Sequence, residues 1–486
     1  MLPRIRNILS KNRFLIIIFI LITFVRFYKL EEFVTFLGDQ GRDAIIIKRI
    51  ATLEKFPAIG PVSSIGSVFL GPFYYYLMTP FLLLFNFDPL GLAFGVAFLS
   101  IIFLALCYLI VKKQTNNTAA VIFILLAGFH QILVEFNRFS WNPNLLPFLS
   151  FFTLSFLTFF LKSKKRVYLF AFGSFLSLSL QLHYLAFLLF LTILLFAVVN
   201  FSKIKSFISL KNLFIAIGAF FLFYSPLVIF DLRHQFLNSK NLLNIFTEKK
   251  IIASLNPWQR FLETNQNFFN YLLKVEISRG LALILFVFFV FIFVKNKFFK
   301  NNFLINIHYL NFFSYLIGFS LLQSYRYPHY YMGVYLSFFL ILAYWLSNFY
   351  KKNLFKPLIY IFLAIYLFIN FIKYPFLKKE GNHQIKIARK IAQSILDNNP
   401  HSPYQIVPIP FTEMDGHIRY FLEIGGKRPL AEDSPEEGNE LYVLCYEKSC
   451  DVLNHPQWQV AAFKNKKIDK IWKIDRVKIY KIIHGR

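Results

Sequence analysis

Asp39 and Asp43 are the acidic residues whose spacing most favours chemistry, in a chain with only 25 Asp and Glu among 486 residues. They lie four residues apart at the start of a predicted amphipathic helix, so both carboxylates are on one side of it. Asp39 could act as a general base, with Asp43 as a second acid. Alternatively, Asp39 could be an N-cap that accepts bonds from backbone N–H groups. The local residues leave both interpretations open.

A second polar segment, 135–144, contains Arg138 and Trp141. The Arg138 guanidinium could hold a phosphate, and the Trp141 ring could stack on a sugar. The alternative is an aromatic belt at the membrane interface, with Glu135 and Arg138 forming an ion pair.

Two further candidate segments follow apolar runs. His183 lies between two apolar segments, where it is either a hydrogen-bonded structural residue or a ligand for a substrate. Asp231 and Arg233 end a predicted span, and they either face a cavity on the outer side that all the candidate segments share or pair with each other.

The last candidates are Arg326, His329 and Tyr330, at the start of another apolar run. An Arg at this depth can bind a phosphate with two parallel hydrogen bonds, which Lys does less specifically. Snorkelling of Arg326 to lipid headgroups is the alternative.

The elements that must position these residues are membrane helices. The chain is 57% hydrophobic and 20% aromatic, with 65 Phe, and its apolar runs match the roughly 20 residues that a transmembrane helix needs. The fold class is therefore an all-α polytopic membrane bundle with about 11–12 hydrophobic segments. The candidate segments are 13–29, 69–86, 91–111, 118–136, 144–161, 167–182, 184–200, 213–230, 280–297, 303–323, 331–348 and 355–373.

The net charge of +28 is explained by topology rather than by nucleic-acid binding. The basic residues form short clusters between apolar runs, whereas a nucleic-acid binder gathers them on one soluble face. This pattern predicts a cytoplasmic N-terminus, outer segments at 30–68 and 231–279, and contact with anionic membrane lipids. Arg26 and Lys29, at the end of the first segment, are expected to reach outward to the membrane surface. The clusters are Arg4–Arg13, Lys112–Lys113, Lys162–Arg166, Lys203–Lys211, Lys295–Lys300 and Lys351–Lys356.

A membrane domain over residues 1–373 and a soluble α/β domain over 374–486 are predicted from the change in composition. The charge pattern places the soluble domain outside the cell, yet twelve crossings would return it to the cytoplasm. Either one segment is therefore expected to enter the membrane and return, or two short segments share a crossing, and Phe69–Asp88, broken by Pro80, is the candidate. Cys445 and Cys450 could form a disulfide there or remain free thiols.

Common nucleotide and metal motifs are absent from the sequence. It contains no P-loop, GxGxxG, HExxH, CxxC or Asp-x-Asp pair. Donors that are nucleotide sugars are disfavoured, because enzymes that use them often hold the diphosphate and a metal through Asp-x-Asp.

The order of these motifs resembles a known family. A short N-terminal span, the acidic pair, Gly71–Pro80, Asn137–Pro143, Gln181–Tyr184 and Asp231–His234 follow one another. This order resembles bacterial GT-C membrane glycosyltransferases related to protein O-mannosyltransferases and the lipid A aminoarabinose transferase.

The resemblance implies transfer of a sugar, with inversion, from a polyprenyl-phosphate carrier to a lipid, glycan or protein acceptor outside the plasma membrane. It implies Asp39 as the base, with Arg138 or Arg326 and His329 near the phosphate. The family usually carries Asp-Glu where this chain has Asp39-Gln40, which leaves a divalent metal possible but unsupported and no cofactor assigned. A transporter or flippase of lipid-linked sugars, a non-catalytic scaffold, and an oligosaccharide ligase with a pyrophosphate-linked donor are the alternatives.

Overall fold

The structure, a computed structural model, describes residues 13–63, 67–247, 256–296 and 302–485. Most of the basic clusters 4–13 and 295–300 lies outside these ranges, so they remain sequence-based predictions.

Each predicted hydrophobic segment is helical, and the segment 118–136 is divided into two helices at His130. The helices up to the last apolar one are α1 (Arg13–Phe27), α2 (Gly38–Ala51), α3 (Phe73–Leu84), α4 (Leu90–Gln114), α5 (Asn117–Phe129), α6 (Gln131–Phe136), α7 (Leu146–Ser163), α8 (Arg166–Leu182), α9 (Leu188–Val199), α10 (Leu210–Arg233), α11 (Leu237–Thr247), α12 (Pro257–Leu273), α13 (Arg279–Lys295), α14 (Phe303–Leu321), α15 (Met332–Tyr350) and α16 (Lys356–Phe371). Leu30–Phe33 and Phe201–Ile204 add single helical turns. The chain is an integral, multi-pass membrane protein.

Fewer helices are long enough to span a bilayer than the apolar segments suggested. Six helices in the described residues meet the length and hydropathy expected of a span, or seven if the segment Tyr184–Phe207, bent by 86°, is counted as one. Helix α3 has 12 residues and is about 18 Å long, well short of the roughly 30 Å hydrocarbon core. Helices α5 and α8 are also shorter than a span, so the entry of Phe69–Asp88 into the membrane without a crossing stays a prediction.

The membrane helices bury more charge than the sequence analysis assumed. Arg26 was expected to reach outward from the end of α1, but its side chain is fully buried. Its guanidinium donates to Ser100 Oγ at 3.0 Å and to the Gly128 carbonyl at 2.9 Å. Because α4 and α5 supply these acceptors, the charge is held inside the bundle instead of reaching the lipid headgroups.

The C-terminal domain is a four-stranded mixed sheet with helices beside it, as its sequence predicted. Strands β1 (Tyr404–Ile409) and β2 (Glu440–Cys445) are parallel, whereas β4 (Val477–His484) pairs antiparallel with both β2 and β3 (Lys466–Ile474), giving the order β1-β2-β4-β3. Cys445 and Cys450 form a disulfide. The elements are α17 (Gln384–Leu396), β1 (Tyr404–Ile409), α18 (Gly416–Ile424), β2 (Glu440–Cys445), α19 (Trp458–Ala462), β3 (Lys466–Ile474) and β4 (Val477–His484).

Candidate functional site

Arg42 binds both candidate carboxylates at the start of α2. Its Nη1 donates to Asp39 Oδ1 at 2.9 Å, and its Nη2 donates to Asp43 Oδ1 at 2.8 Å. Asp39 does not cap the helix: Leu37 is the N-cap residue, and its backbone N–H donates to Gln40 Oε1 at 3.1 Å. The Asp39 side chain is 37% exposed. Its carboxylate is therefore held by a neighbouring cation and is still accessible to solvent.

Asp43 is fully buried beneath this pair. Its Oδ1 also accepts a bond from Tyr75 Oη at 3.2 Å, while its Oδ2 has no hydrogen-bond partner among the described residues. Burial raises the pKa of Asp43 to about 6, although the adjacent Arg42 acts in the opposite direction. The charge of Asp43 is consequently sensitive to pH close to neutrality.

The segment 69–76 connects the acidic pair to the other polar motifs. Its backbone and tyrosines make hydrogen bonds to four separate parts of the chain. These are Tyr75 Oη to Asp43 Oδ1 at 3.2 Å, Tyr74 Oη with Ser140 Oγ at 2.8 Å, Phe73 N to Gln181 Oε1 at 3.3 Å and Phe69 N to Asn238 Oδ1 at 2.7 Å. Four motifs that are far apart in the sequence therefore meet along one short segment.

An aromatic cluster forms where three of the predicted segments converge. The His329 ring centroid lies 4.8 Å from that of Trp141 and 4.2 Å from that of Tyr330. The His183 ring lies 4.6 Å from Tyr184 and 5.6 Å from Tyr330. His183 Nδ1 also accepts the backbone N–H of residue 185 at 3.2 Å. The structure thus brings His183, His329 and Tyr330 together in one aromatic cluster, in which the His183 and Tyr330 side chains are buried.

Arg326 lies beside this cluster, buried and held by neutral groups. Its Nε donates to Thr264 Oγ1 at 2.8 Å, its Nη2 donates to the Leu322 carbonyl at 3.1 Å, and its Nη1 donates to the Ser324 carbonyl. The guanidinium also stacks 4.4 Å from the Phe319 ring centroid. Arg326 forms no salt bridge among the described residues, although the charge of Glu263 acts on it from nearby, so an anion placed beside it would meet a charge that is only partly compensated.

Arg138, which was predicted to bind a phosphate, contacts backbone carbonyls and an aromatic ring. Its guanidinium lies 4.0 Å from the Phe376 ring centroid and donates to four carbonyls at and beyond the end of α1. These acceptors are the carbonyls of Val25, Arg26, Tyr28 and Lys29, at 2.8–3.3 Å. A cation satisfies the unpaired carbonyls at a helix C-terminus. These contacts make Arg138 a helix cap, and its role as a phosphate ligand stays a prediction that they do not favour.

Asp231 caps α11 and lies on a groove. Its carboxylate accepts hydrogen bonds from the backbone N–H groups of Asn238 at 2.7 Å and Ser239 at 3.1 Å. Arg233, the alternative partner considered from the sequence, is not among the hydrogen-bond donors to this carboxylate in the described residues. Arg233 is exposed. The groove has a volume of about 370 Å³, and its lining includes Leu70, Tyr184, Phe187, Tyr224, Leu227 and Asp231. An apolar groove with one carboxylate at its rim suits a lipid chain better than a polar substrate.

The acidic pair does not fit a divalent cation. Both carboxylates bind Arg42, and no group of three His, Cys, Asp or Glu side chains that could hold a metal occurs in the part of the chain that the structure describes. Metal sites of this kind need several anionic or imidazole ligands directed at one point.

The sequence analysis missed Arg42, Tyr74 and Tyr75 as site residues. The position of Arg42 between two acids was a visible signal, since a cation three residues after Asp39 is within reach on the same helix face. Nothing local marks the partners of the two tyrosines, because Asp43 and Ser140 are distant in the sequence.

The fold resembles the folds of known proteins. Residues 70–230 match the family described as Dolichyl-phosphate-mannose-protein mannosyltransferase. The crystal structure of ArnT from Cupriavidus metallidurans bound to undecaprenyl phosphate superposes with a TM-score of 0.65 at 11% sequence identity, covering 97% of this chain and 98% of that one. The chain has the GT-C fold. The resemblance predicted from the motif order is confirmed at the level of the fold.

Other GT-C structures agree with a smaller overlap. The apo oligosaccharyltransferase of Archaeoglobus fulgidus gives a TM-score of 0.52 at 15% identity, covering 86% of this GT-C chain and 64% of that protein. AglB from the same organism, in complex with an inhibitory peptide and a dolichol-phosphate, gives 0.51 at 13% identity, with 87% and 65% covered. Comparison with curated protein sequences finds no match. The family match begins after α2, so it does not include Asp39 or Asp43.

Proposed function

We propose that this GT-C protein is an inverting glycosyltransferase, which moves a sugar from a polyprenyl-phosphate carrier to an acceptor on the outer face of the plasma membrane. The observation that carries the proposal is the accessible Asp39 carboxylate, held by Arg42 in a fold that ArnT shares. The ArnT structure was solved with undecaprenyl phosphate, which supports a lipid-phosphate donor here. The sugar and the acceptor, whether lipid, glycan or protein, are left open.

The chemistry follows from the position of Asp39. One Asp39 oxygen is bound by Arg42, and the other can accept the proton of the acceptor hydroxyl as its oxygen attacks C1 of the sugar. The new O–C1 bond forms as the bond from C1 to the phosphate oxygen breaks, so polyprenyl phosphate leaves with the electron pair. A cation such as Arg326 would stabilise the charge that develops on the phosphate. The groove beside Asp231 is suited to the polyprenyl chain.

An outer location for the C-terminal domain is part of the proposal. The Cys445–Cys450 disulfide supports it, because structural disulfides persist in oxidising compartments and are rare in the cytosol. The domain also contacts α2 of the predicted outer segment 30–68, through an Arg49–Glu423 ion pair at 2.7 Å. Both belong on the same side of the membrane.

The test of the reaction class is release of polyprenyl phosphate by the reconstituted protein. A panel of polyprenyl-phosphate sugars is offered with a cell-envelope extract as the acceptor source. Release with one sugar would identify the donor. No release from a folded sample, but release from a pyrophosphate-linked donor, would favour the ligase. Movement of lipid-linked sugars across the bilayer without any release would favour the transporter.

Turnover is expected to fall about tenfold between pH 7 and pH 5, because Asp43, with a pKa of about 6, is then largely protonated. A neutral Asp43 leaves the whole Arg42 charge on Asp39, which weakens Asp39 as a proton acceptor. Asp43→Asn should give low turnover at every pH and no inflection near pH 6. Persistence of that inflection in Asp43→Asn would assign it to another group.

Arg326→Ala is expected to weaken binding of polyprenyl phosphate by roughly 10- to 100-fold, because a charge-assisted hydrogen bond contributes about 1.5–3 kcal/mol. The affinity of Arg326→Lys should lie between those of the wild type and Arg326→Ala, since Lys keeps the charge but cannot donate two parallel hydrogen bonds. Affinity is measured by titration in nanodiscs, with the exposed Arg166→Ala as the control. Unchanged affinity in folded Arg326→Ala would remove Arg326 from the phosphate site.

A further inference from the structure

The C-terminal domain touches α2 backbone to backbone at the turn that carries the acidic pair. A methyl group added to Gly416, at the start of α18, would lie 2.5 Å from the Gly38 carbonyl oxygen and 2.9 Å from the Arg42 backbone nitrogen. A methyl group added to Gly41 would lie 2.1 Å from the His417 backbone nitrogen. These distances leave no room for a side chain on either glycine, so the two helices are in direct contact on both sides of Asp39.

Met414 extends this contact to the residue before Asp39. A Cβ atom added to Gly38 would lie 2.0 Å from the Cβ atom of Met414. The C-terminal domain therefore packs against residues 38, 41 and 42, which are the neighbours of the proposed base in the sequence.

An ion-pair cluster fixes the other end of α2 to the same domain. Arg49 donates to both oxygens of Glu423 at 3.0 and 2.7 Å, and Arg428 donates to Glu423 Oε1 at 3.0 Å and to Glu54 Oε2 at 2.6 Å. The Glu423 side chain is 4% exposed, so its charge is compensated by these cations instead of by water. A bidentate Arg–carboxylate pair also restricts orientation, because both groups are planar.

The two contacts lie at opposite ends of one helix. The membrane domain binds α2 through the Tyr75–Asp43 bond, and the C-terminal domain binds it through α18 and Glu423. Because the C-terminal domain holds α2 at two points, it fixes the position of this helix along its axis and its rotation about that axis. Displacing α18 would therefore move Asp39 relative to the membrane domain.

We infer that the C-terminal domain is a positioning element of the site, which sets α2 so that Asp39 reaches the acceptor hydroxyl. This role rests on the proposed function, and it answers what the soluble domain contributes to a reaction carried out beside the membrane. Misplacing a catalytic group by about 1 Å can lower turnover roughly 100-fold without any change in substrate binding. A domain that only stabilised the fold would affect both together.

Gly416→Ala in the full-length, reconstituted protein is the first test. It is expected to lower kcat tenfold or more, leave the affinity for polyprenyl phosphate within twofold, and increase hydrogen exchange of the α2 backbone. Glu423→Gln, which keeps the shape of the side chain, should have the same effect at smaller size. Gly218→Ala is the matched control, because an added methyl group there meets nothing within 4 Å. Glu436→Gln, at an exposed position, is the control for the charge.

The readouts separate this inference from the proposed function. Unchanged kcat and unchanged α2 exchange in a folded Gly416→Ala would overturn it. Faster exchange throughout α14 and α15, with loss of lipid binding, would also overturn it, because the domain would then support the whole fold. If the wild type transfers no sugar while Gly416→Ala still loosens α2 alone, the positioning of α2 stands and the proposed function fails.

Discussion

Asp39→Asn is expected to lower turnover by roughly 100- to 10,000-fold, which is the range that removal of a general base produces. The amide keeps the size of the side chain and can still accept a hydrogen bond from Arg42, but it cannot take the proton of the acceptor. The affinity for the donor should stay within about twofold, because the carboxylate acts on the acceptor side. Release of polyprenyl phosphate from the donor that the panel identifies measures the effect.

Asp433→Asn is the matched control for this variant. Asp433 is an exposed acid in the C-terminal domain, and the same change of charge there should leave turnover unaltered. Full turnover in a folded Asp39→Asn would show that another group, or no group, removes the proton. Asp43→Asn would then be assayed at pH 8 to ask whether the second acid is the base.

Among substitutions of Asp39, Arg42 and Asp43, Arg42→Ala is expected to be the most destabilising. It leaves the buried Asp43 carboxylate without its cation, and loss of one partner of a buried pair costs about 3–5 kcal/mol. The Arg42 side chain is 40% exposed, so water compensates part of this loss and we expect about 2 kcal/mol at pH 8. SDS unfolding in mixed micelles measures it.

The pH dependence of this loss follows from Asp43. Its pKa of about 6 in the wild type means that at pH 5 the carboxyl is mostly neutral, and a neutral group needs no cation. The destabilisation by Arg42→Ala should therefore be smaller at pH 5 than at pH 8. Adding Asp43→Asn to Arg42→Ala should recover part of the stability at pH 8, since the unpaired charge is removed. Arg476→Ala, on an exposed turn, is the control.

A destabilisation by Arg42→Ala that is equal at both pH values would contradict a buried, ionised Asp43. Stability and turnover can also separate in the double variant, because restoring the fold does not restore the hydrogen bond from Arg42 that orients the Asp39 carboxylate. Asp43→Asn alone is the reference for turnover, and slower turnover in the stable double variant than in Asp43→Asn would assign Arg42 a role in orienting Asp39 beyond folding.

The sequence alone determined the features that depend on local spacing and composition. Apolar runs of membrane length predicted the helices, and the change to a polar, mixed composition after the last apolar run predicted the small α/β domain. The spacing of Asp39 and Asp43 put both acids on one face of α2 because residues four apart are neighbours on a helix. Each of these inferences needs only residues within one or two turns of each other.

Only the tertiary structure decided which polar groups belong together. Arg26 and Arg138 looked like interfacial or phosphate-binding cations, yet their partners are carbonyls and a hydroxyl from other segments or the end of α1. Tyr75 reaches Asp43, and Gly416 meets the Gly38 backbone, across separations that no local pattern reports. The physical reason is that a buried charge must find its partner wherever the fold places one. Spacing within a segment reveals the face on which a side chain lies, and long-range packing determines what lies opposite it.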